Sequence, residues 1–251
     1  MAVLIKVCSL AGRNRVAVLV VAVVLAIGLG VLRETASRDG RDLIFLTGIV
    51  VIIGSLALAL AAIYGYHPAA LVVRPDLPAF ETHPPAGQVL LFAALTVQGG
   101  TTVTGLIMDA VNGEEYWTFG LPAMALWLIA IGFAWWQMLR PGGVRLRPDG
   151  VEDRQPFGSM FVPWEAFTGV PYPALVVGRS KITLTFADSA LVRTRGWRPI
   201  GPALPANAVD ARFLTYAIHE YAHRPELRAV IGTEAEYDRL TGAWRDWPNV
   251  G

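Results

Sequence analysis

Between Tyr116 and Arg147 the chain changes solvent. An apolar run, bounded by Tyr116 and Trp117 at one end and Trp135 and Trp136 at the other, is closed by Arg140-Pro141-Gly142-Gly143; from Val144 the apolar residues alternate. At a rise of 1.5 Å per residue, Trp117 to Trp135 covers about 27 Å, close to the thickness of a hydrocarbon core. Aromatic residues at both ends are what a membrane interface selects. The chain is therefore read as a membrane part, residues 1–140, followed by a soluble part, residues 144–251. A mean hydropathy of +0.46 with 54% hydrophobic residues agrees, and 251 residues are too many for an anchor alone.

Three further spans are legible upstream. Lys6, Arg13 and Arg15 precede the uniformly apolar 16–32, about the shortest length that crosses. A cleaved signal peptide would need small residues before the cut; Glu34 stands at the wrong place and more spans follow, so an uncleaved first helix is expected. The second span, 43–66, ends at Tyr66-His67-Pro68, and the loop after it carries Pro75, Pro78, Pro84 and Pro85, which forbid a long helix. The third span, 88–110, places Gln98-Gly99-Gly100-Thr101-Thr102-Val103-Thr104-Gly105 near mid-membrane. Such residues either line a path, as in a small transporter, or let helices approach closely. Because no ionisable residue lies in the middle of any span, packing is preferred. The same small residues would also serve a homo-oligomer. The fourth span is 116–139.

Positive charge sets orientation. Placing both termini inside puts Lys6, Arg13, Arg15, Arg74, Arg140, Arg145 and Arg147 in the cytoplasm, against Arg33, Arg38 and Arg41 outside; the last loop, with Glu114 and Glu115, has no Lys or Arg. The expected location is a bacterial plasma membrane: lysine is confined to Lys6 and Lys181 against many arginines, as high-GC genomes favour. A formal net charge of +1 excludes a strongly basic nucleic-acid binder. The single cysteine, Cys8, excludes an intramolecular disulfide or a cysteine zinc cluster.

In the soluble part, Val144–Arg147, Val151–Asp153, Met160–Val162, Ala174–Val177, Lys181–Phe186 and Leu191–Arg195 read as short strands. Pro148-Asp149-Gly150 and Gly178-Arg179-Ser180 are turn signals between them. The proline-rich Pro199 to Pro205 is not helix. Asn207 followed by Asp210 starts a helix whose Val209, Phe213, Leu214, Ala217, Ile218 and Tyr221 fall on one arc. Pro225 ends it. Thr233-Glu234-Ala235-Glu236 is a capping box for a last helix, and Gly242 is expected to stop that helix. The class is thus membrane α-helical, with four transmembrane helices, plus a small α+β domain.

Two segments carry a family resemblance. Val144-Arg-Leu-Arg-Pro-Asp-Gly-Val151, with Phe161-Val-Pro-Trp-Glu-Ala-Phe167, resembles the first strands of bacterial pleckstrin-homology-like domains, commonly carried by multi-pass membrane proteins. Tyr221-Ala-His-Arg-Pro-Glu-Leu-Arg-Ala-Val-Ile-Gly-Thr233 is similar to the carboxyl-terminal segment of actinobacterial membrane proteins of unassigned function. The likeness covers about the last hundred residues. It implies a curved antiparallel sheet closed by a helix, and it carries over no catalytic residue. Lipid-headgroup binding in some relatives uses a basic cluster in the first strand-strand loop, where this chain offers mainly Arg154 beside Glu152 and Asp153.

One motif points to chemistry. His219-Glu220-Tyr221-Ala222-His223 matches H-E-x-x-H, in which two histidines one turn apart hold zinc and the glutamate serves as general base. Against it, Arg224-Pro225 cuts the helix at the second histidine, and the histidines lie on the arc opposite Phe213 and Tyr221. The third ligand would have to be Glu226, Glu234 or Glu236, or lie outside the segment. A zinc metallopeptidase is therefore the alternative, not the preferred reading. The preferred one is non-enzymatic, with no cofactor. A cytoplasmic domain presents a surface to a protein partner or to anionic lipid headgroups, as a binding or scaffolding module; Arg193, Arg195, Trp197 and Arg198 are its candidate basic face, against the alternative of a solvated sheet edge protected by its charge.

Overall fold

The computed structural model describes residues 2–74, 76–113, 117–140, 142–176, 180–198 and 201–247. Pro75, Glu114, Glu115, Tyr116, Pro141, Val177, Gly178, Arg179 and Pro199 lie outside them. The chain divides into two units, residues 1–66 with 85–140, and residues 67–84 with 141–251.

The first unit is helical. It comprises α1 (Ala2–Arg13), α2 (Arg15–Thr35), α3 (Arg38–Gly65), α4 (Ala86–Val111) and α5 (Trp117–Leu139). The last four are long and apolar enough to cross a membrane, over Arg15–Arg33, Leu46–Gly65, Ala86–Val111 and Gly120–Leu139. Each matches an expected span to within a few residues, and α1 is an additional helix ahead of them. Val50, Ile53 and Leu60 of α3 and Leu126 and Ile129 of α5 are exposed. Apolar surface of that extent on neighbouring turns fits lipid, not water. This is a membrane protein by the length, composition and outward faces of these helices.

Helix α4 packs against α2, α3 and α5, and small residues set the distance. A Cβ at Gly100 would meet the Ala26 Cβ at 2.6 Å, and one at Gly30 would meet Thr104 at 2.6 Å. Ala26 pairs with Gly100 and Gly30 with Thr104, so the two helices run parallel with a small residue every fourth position on both. The Thr101, Thr102 and Thr104 hydroxyls donate to carbonyls of their own helix at 2.8, 3.1 and 2.8 Å. Thr96 donates to the Phe92 carbonyl and accepts from Trp135 Nε1. These hydroxyls are engaged in helix packing.

The second unit holds two antiparallel sheets. The larger is built from β1 (Val72–Arg74), β2 (Ala79–Glu81), β3 (Gly143–Arg147), β4 (Gly150–Gln155), β5 (Gly158–Pro163) and β8 (Arg193–Gly196), in that spatial order. The smaller is β6 (Ala174–Val176), β7 (Lys181–Leu184) and β9 (Ala203–Pro205), with β7 central. The loop between the second and third spans thus contributes a hairpin, and Phe80 of β2 pairs with Leu146 of β3. Pairing of β2 with β3 requires the chain between them to return to the side from which it left, and α4 and α5 supply an even number of candidate crossings.

One face of the larger sheet buries Phe80, Val144, Leu146, Val151, Met160 and Val162 in a core shared with α6 (Ala211–His223), whose Phe213, Leu214, Ala217, Ile218 and Tyr221 are fully buried, as is Val209 just ahead of it. Asp210 caps α6 as expected, its carboxylate accepting from the Arg212 and Phe213 amides at 2.7 and 3.1 Å. Arg228 satisfies the other end, donating to the Tyr221 and Ala222 carbonyls.

Two sequence expectations are corrected by the structure and a third, the non-helical proline-rich stretch, is extended. Helix α7 (Glu234–Arg245) runs through Gly242, because Trp244 packs on Phe213 and Tyr216, outweighing the roughly 1 kcal/mol that a helical glycine costs. Thr233 does accept from the Glu236 amide at 3.3 Å, but the Glu236 carboxylate turns to Tyr221 and Arg239, so the capping box is only half made. The proline-rich stretch, read only as non-helical, supplies the edge strand β9 at Ala203–Pro205.

Candidate functional site

Strand pairing fixes which side chains share the solvent face of the larger sheet. Residues directly opposite one another point the same way. Arg145, Glu152, Phe161 and Arg193 form one row across β3, β4, β5 and β8; Gly143, Arg154, Ser159 and Arg195 form the next. This face is an arginine ladder.

Most of its arginines are already neutralised. Glu81 holds Arg145 at 2.9 Å and Arg74 at 3.0 Å, while Glu152 holds Arg154 at 2.8 Å and Arg147 at 3.6 Å. Arg147 also meets Asp149 at 3.0 Å. Arg154, read from sequence as part of a loop, is a β4 residue with its charge spent. Arg193 and Arg195 are different: both are exposed on the edge strand, and neither has an ion pair among the described residues. The β8 edge is thus the uncompensated end of the ladder.

Trp197 and Phe157 stand beside it. They are 68% and 50% exposed, with ring centroids 6.4 Å apart in an edge-on arrangement. Two glycines in register make that approach possible. Gly158 pairs with Gly196, and a Cβ on Gly158 would meet the Arg195 and Trp197 carbonyls at 2.7 Å. Gly196 has φ of 73°, a conformation that other residues adopt only under strain, and the Trp197 amide then donates to the Phe157 carbonyl at 3.0 Å.

Arg198, expected on the same basic face, is turned inward instead. Its side chain is 4% exposed, ion-paired with the fully buried Asp153, and donates to the Gly201 and Ala203 carbonyls at 2.9 and 3.0 Å. Burial pushes the Asp153 carboxyl upward, and Gln155 and Arg198 act against that. Arg198 is thus a structural residue holding β4 to the chain ahead of β9. The sequence signal for Phe157 was its place in a Gln-Pro-Phe-Gly turn, too common a pattern to single out.

The H-E-x-x-H residues do come together on α6. The His219 and His223 rings lie 4.2 Å apart, with His223 Nδ1 2.9 Å from the His219 carbonyl oxygen. Burial, then the neighbouring His223, lower the His219 pKa from 6.5, with Glu220 opposing. Glu220 faces the other way: it is buried, and its Oε1 accepts from Arg224 at 2.8 Å and Arg239 at 3.1 Å. Arg239 also grips Glu236, which accepts from the Tyr221 hydroxyl at 2.9 Å. Burial and the Glu236 carboxylate drive the Tyr221 pKa upward. Among the described residues no three His, Cys, Asp or Glu side chains converge as a metal site would require. Glu226, Glu234 and Glu236 therefore do not complete a ligand set with the two histidines.

No protein-family model, curated protein or solved structure matches the chain.

Proposed function

We propose that this protein is a membrane-tethered, non-enzymatic interaction module. A four-span bundle in a bacterial plasma membrane, both termini cytoplasmic, holds a pleckstrin-homology-like domain that presents the β8 edge to a binding partner. The observation that carries this reading is the pair Arg193 and Arg195, which have no ion pair among the described residues, on a face whose other arginines are matched to carboxylates. Free like charges on an edge strand repel a second strand and attract an anionic surface. A pleckstrin-homology-like arrangement is supported by the meander β3-β4-β5, the second small sheet and the helix α6 closing the core. The metallopeptidase reading is weaker, since the glutamate that would act as base is held by two arginines. Transport finds no support in the third span, whose threonine hydroxyls bond their own helix.

The test is photo-crosslinking in cells with benzoylphenylalanine in place of Trp197 in the full chain. An adduct at position 197 that is weakened by Arg193→Glu/Arg195→Glu supports the reading. An adduct yield no higher than that from the same probe at Asp149, in the β3–β4 turn, contradicts it.

A further inference from the structure

The solvent-exposed aromatic pair has a definite place along the strands. Gly143 pairs with Arg154, so the β4–β5 turn at Pro156-Phe157 lies past the start of β3, roughly 7 Å further along at about 3.3 Å per residue. Gly196 pairs with Gly158 at the same level, putting Trp197 there too. This is the end of the sheet at which the chain arrives from α5, through Pro141-Gly142, and departs toward α4, through Thr82 to Pro85. The opposite end carries the β3–β4 turn at Pro148-Asp149. The chain from α3 also enters here, at Val72, which pairs with Glu81, so all three covalent links to the spans and both exposed rings lie toward one end.

We propose that this end docks on the chain's own bilayer, with Phe157 and Trp197 entering the interfacial layer and Arg193 and Arg195 pairing with anionic lipid phosphates. The inference rests on the interaction-module reading and names its partner. Three features select lipid over a protein. The links are too short to let this end travel far from the membrane surface. The segments Gln155-Pro156-Phe157-Gly158-Ser159 and Val192 to Arg198 contain no carboxylate to be repelled by an anionic leaflet. Tryptophan and phenylalanine beside arginine is the composition that settles at headgroup depth, ring toward the acyl boundary and guanidinium toward phosphate.

The charge contribution is set by distance from the surface. Each juxtamembrane basic residue shifts a docking equilibrium by roughly fivefold, so the pair contributes about 25-fold, and salt screens it. The rings then decide depth rather than attraction. Docking would leave the Asp149 turn, at the opposite end of the sheet, in water.

The experiment uses the full chain with Cys8→Ala, reconstituted in nanodiscs of phosphatidylcholine alone or with phosphatidylglycerol. An environment-sensitive fluorophore is attached through Phe157→Cys, Trp197→Cys or, as a control, Asp149→Cys. The expected result is strong quenching by lipid-borne nitroxide at 157 and 197, greater with phosphatidylglycerol and reduced by Arg193→Gln/Arg195→Gln, and little at 149. Equal access of aqueous iodide to all three labels would overturn the proposal. So would lipid quenching that ignores the anionic lipid and the arginines. If the labels at 157 and 197 stay aqueous while a protein adduct forms at 197 in cells, docking on lipid fails and the broader reading survives. If no adduct forms either, both fall.

Discussion

Replacing Phe80 by alanine probes the step on which the architecture depends, the incorporation of an inter-span loop into the domain's core. Phe80 is fully buried, pairs with Leu146, and packs its ring on Tyr221 of α6 at 6.5 Å and on Tyr237 of α7 at 5.8 Å. Removing a buried phenylalanine side chain costs about 3–5 kcal/mol. Two aromatic partners put the value toward the top of that range, since each such pair adds roughly 0.5–1.5 kcal/mol. Leu77, in the turn of the same hairpin, is 56% exposed, and Leu77→Ala should stay within about 0.5 kcal/mol. Hydrogen exchange of the full chain in nanodiscs reads the difference. Amides of β3, β4 and β5, which open with the core, should exchange about a thousandfold faster in Phe80→Ala, since every ~1.4 kcal/mol is tenfold. Unchanged protection in β3 to β5, with loss confined to residues 72–81, would show that the hairpin merely rests on an independently stable domain. The assignment of the loop to the core would then be wrong.

Other perturbations address the site. Arg198→Gln should destabilise the domain by about 3–5 kcal/mol, because it leaves Asp153 charged and buried, whereas Arg195→Gln should cost under about 0.5 kcal/mol; similar losses in chemical denaturation would place Arg198 back on the surface. Zinc content of the purified full chain, supplied with zinc and never chelated, should be the same for wild type and for His219→Ala/His223→Ala; near one zinc per chain, lost in the double variant, would instead install the metallopeptidase. The lowered His219 pKa means that the unfolded chain takes up the proton first. The stability it contributes is present above pH 6.5 and drains away as pH falls below that value. Thermal midpoints of wild type should therefore drop further than those of His219→Gln on going from about pH 7 to about pH 5.5, and equal drops would contradict the burial of the neutral ring.

Local signals recovered most of the elements. Apolar length alone placed α2 to α5, and alternation with the Pro148-Asp149-Gly150 turn placed β3 and β4, because those signals are written in neighbouring residues. The arc Val209, Phe213, Leu214, Ala217, Ile218 and Tyr221 likewise announced the buried face of α6. What was not legible depends on distant partners. Val72–Arg74 and Ala79–Glu81 are three residues long and separated by a segment with prolines at 75 and 78, so only the pairing of β2 to β3, and of β1 to β2, makes them strands. The site shows the same division. Composition singles out Arg193, Arg195 and Trp197, which are exposed, but Arg198, adjacent in sequence, is captured by Asp153 from another strand, and Phe157 lies beside Trp197 through a glycine pair that only the register reveals. Glu220 sits inside the H-E-x-x-H pattern, and its engagement by Arg239 of α7 is invisible to the pattern.

Sidedness tests the central claim most directly, since a sheet assembled from the second loop and the carboxyl-terminal segment requires both on one side of the membrane. In a Cys8→Ala background, cysteine substituted singly for Leu77, Asp149 or Asn112 would be labelled with a membrane-impermeant maleimide in intact and in permeabilised cells. The account predicts that positions 77 and 149 react only after permeabilisation, while position 112, between α4 and α5, reacts in intact cells. Labelling of 77 and 149 from opposite sides would contradict it, because β2 and β3 could then never pair.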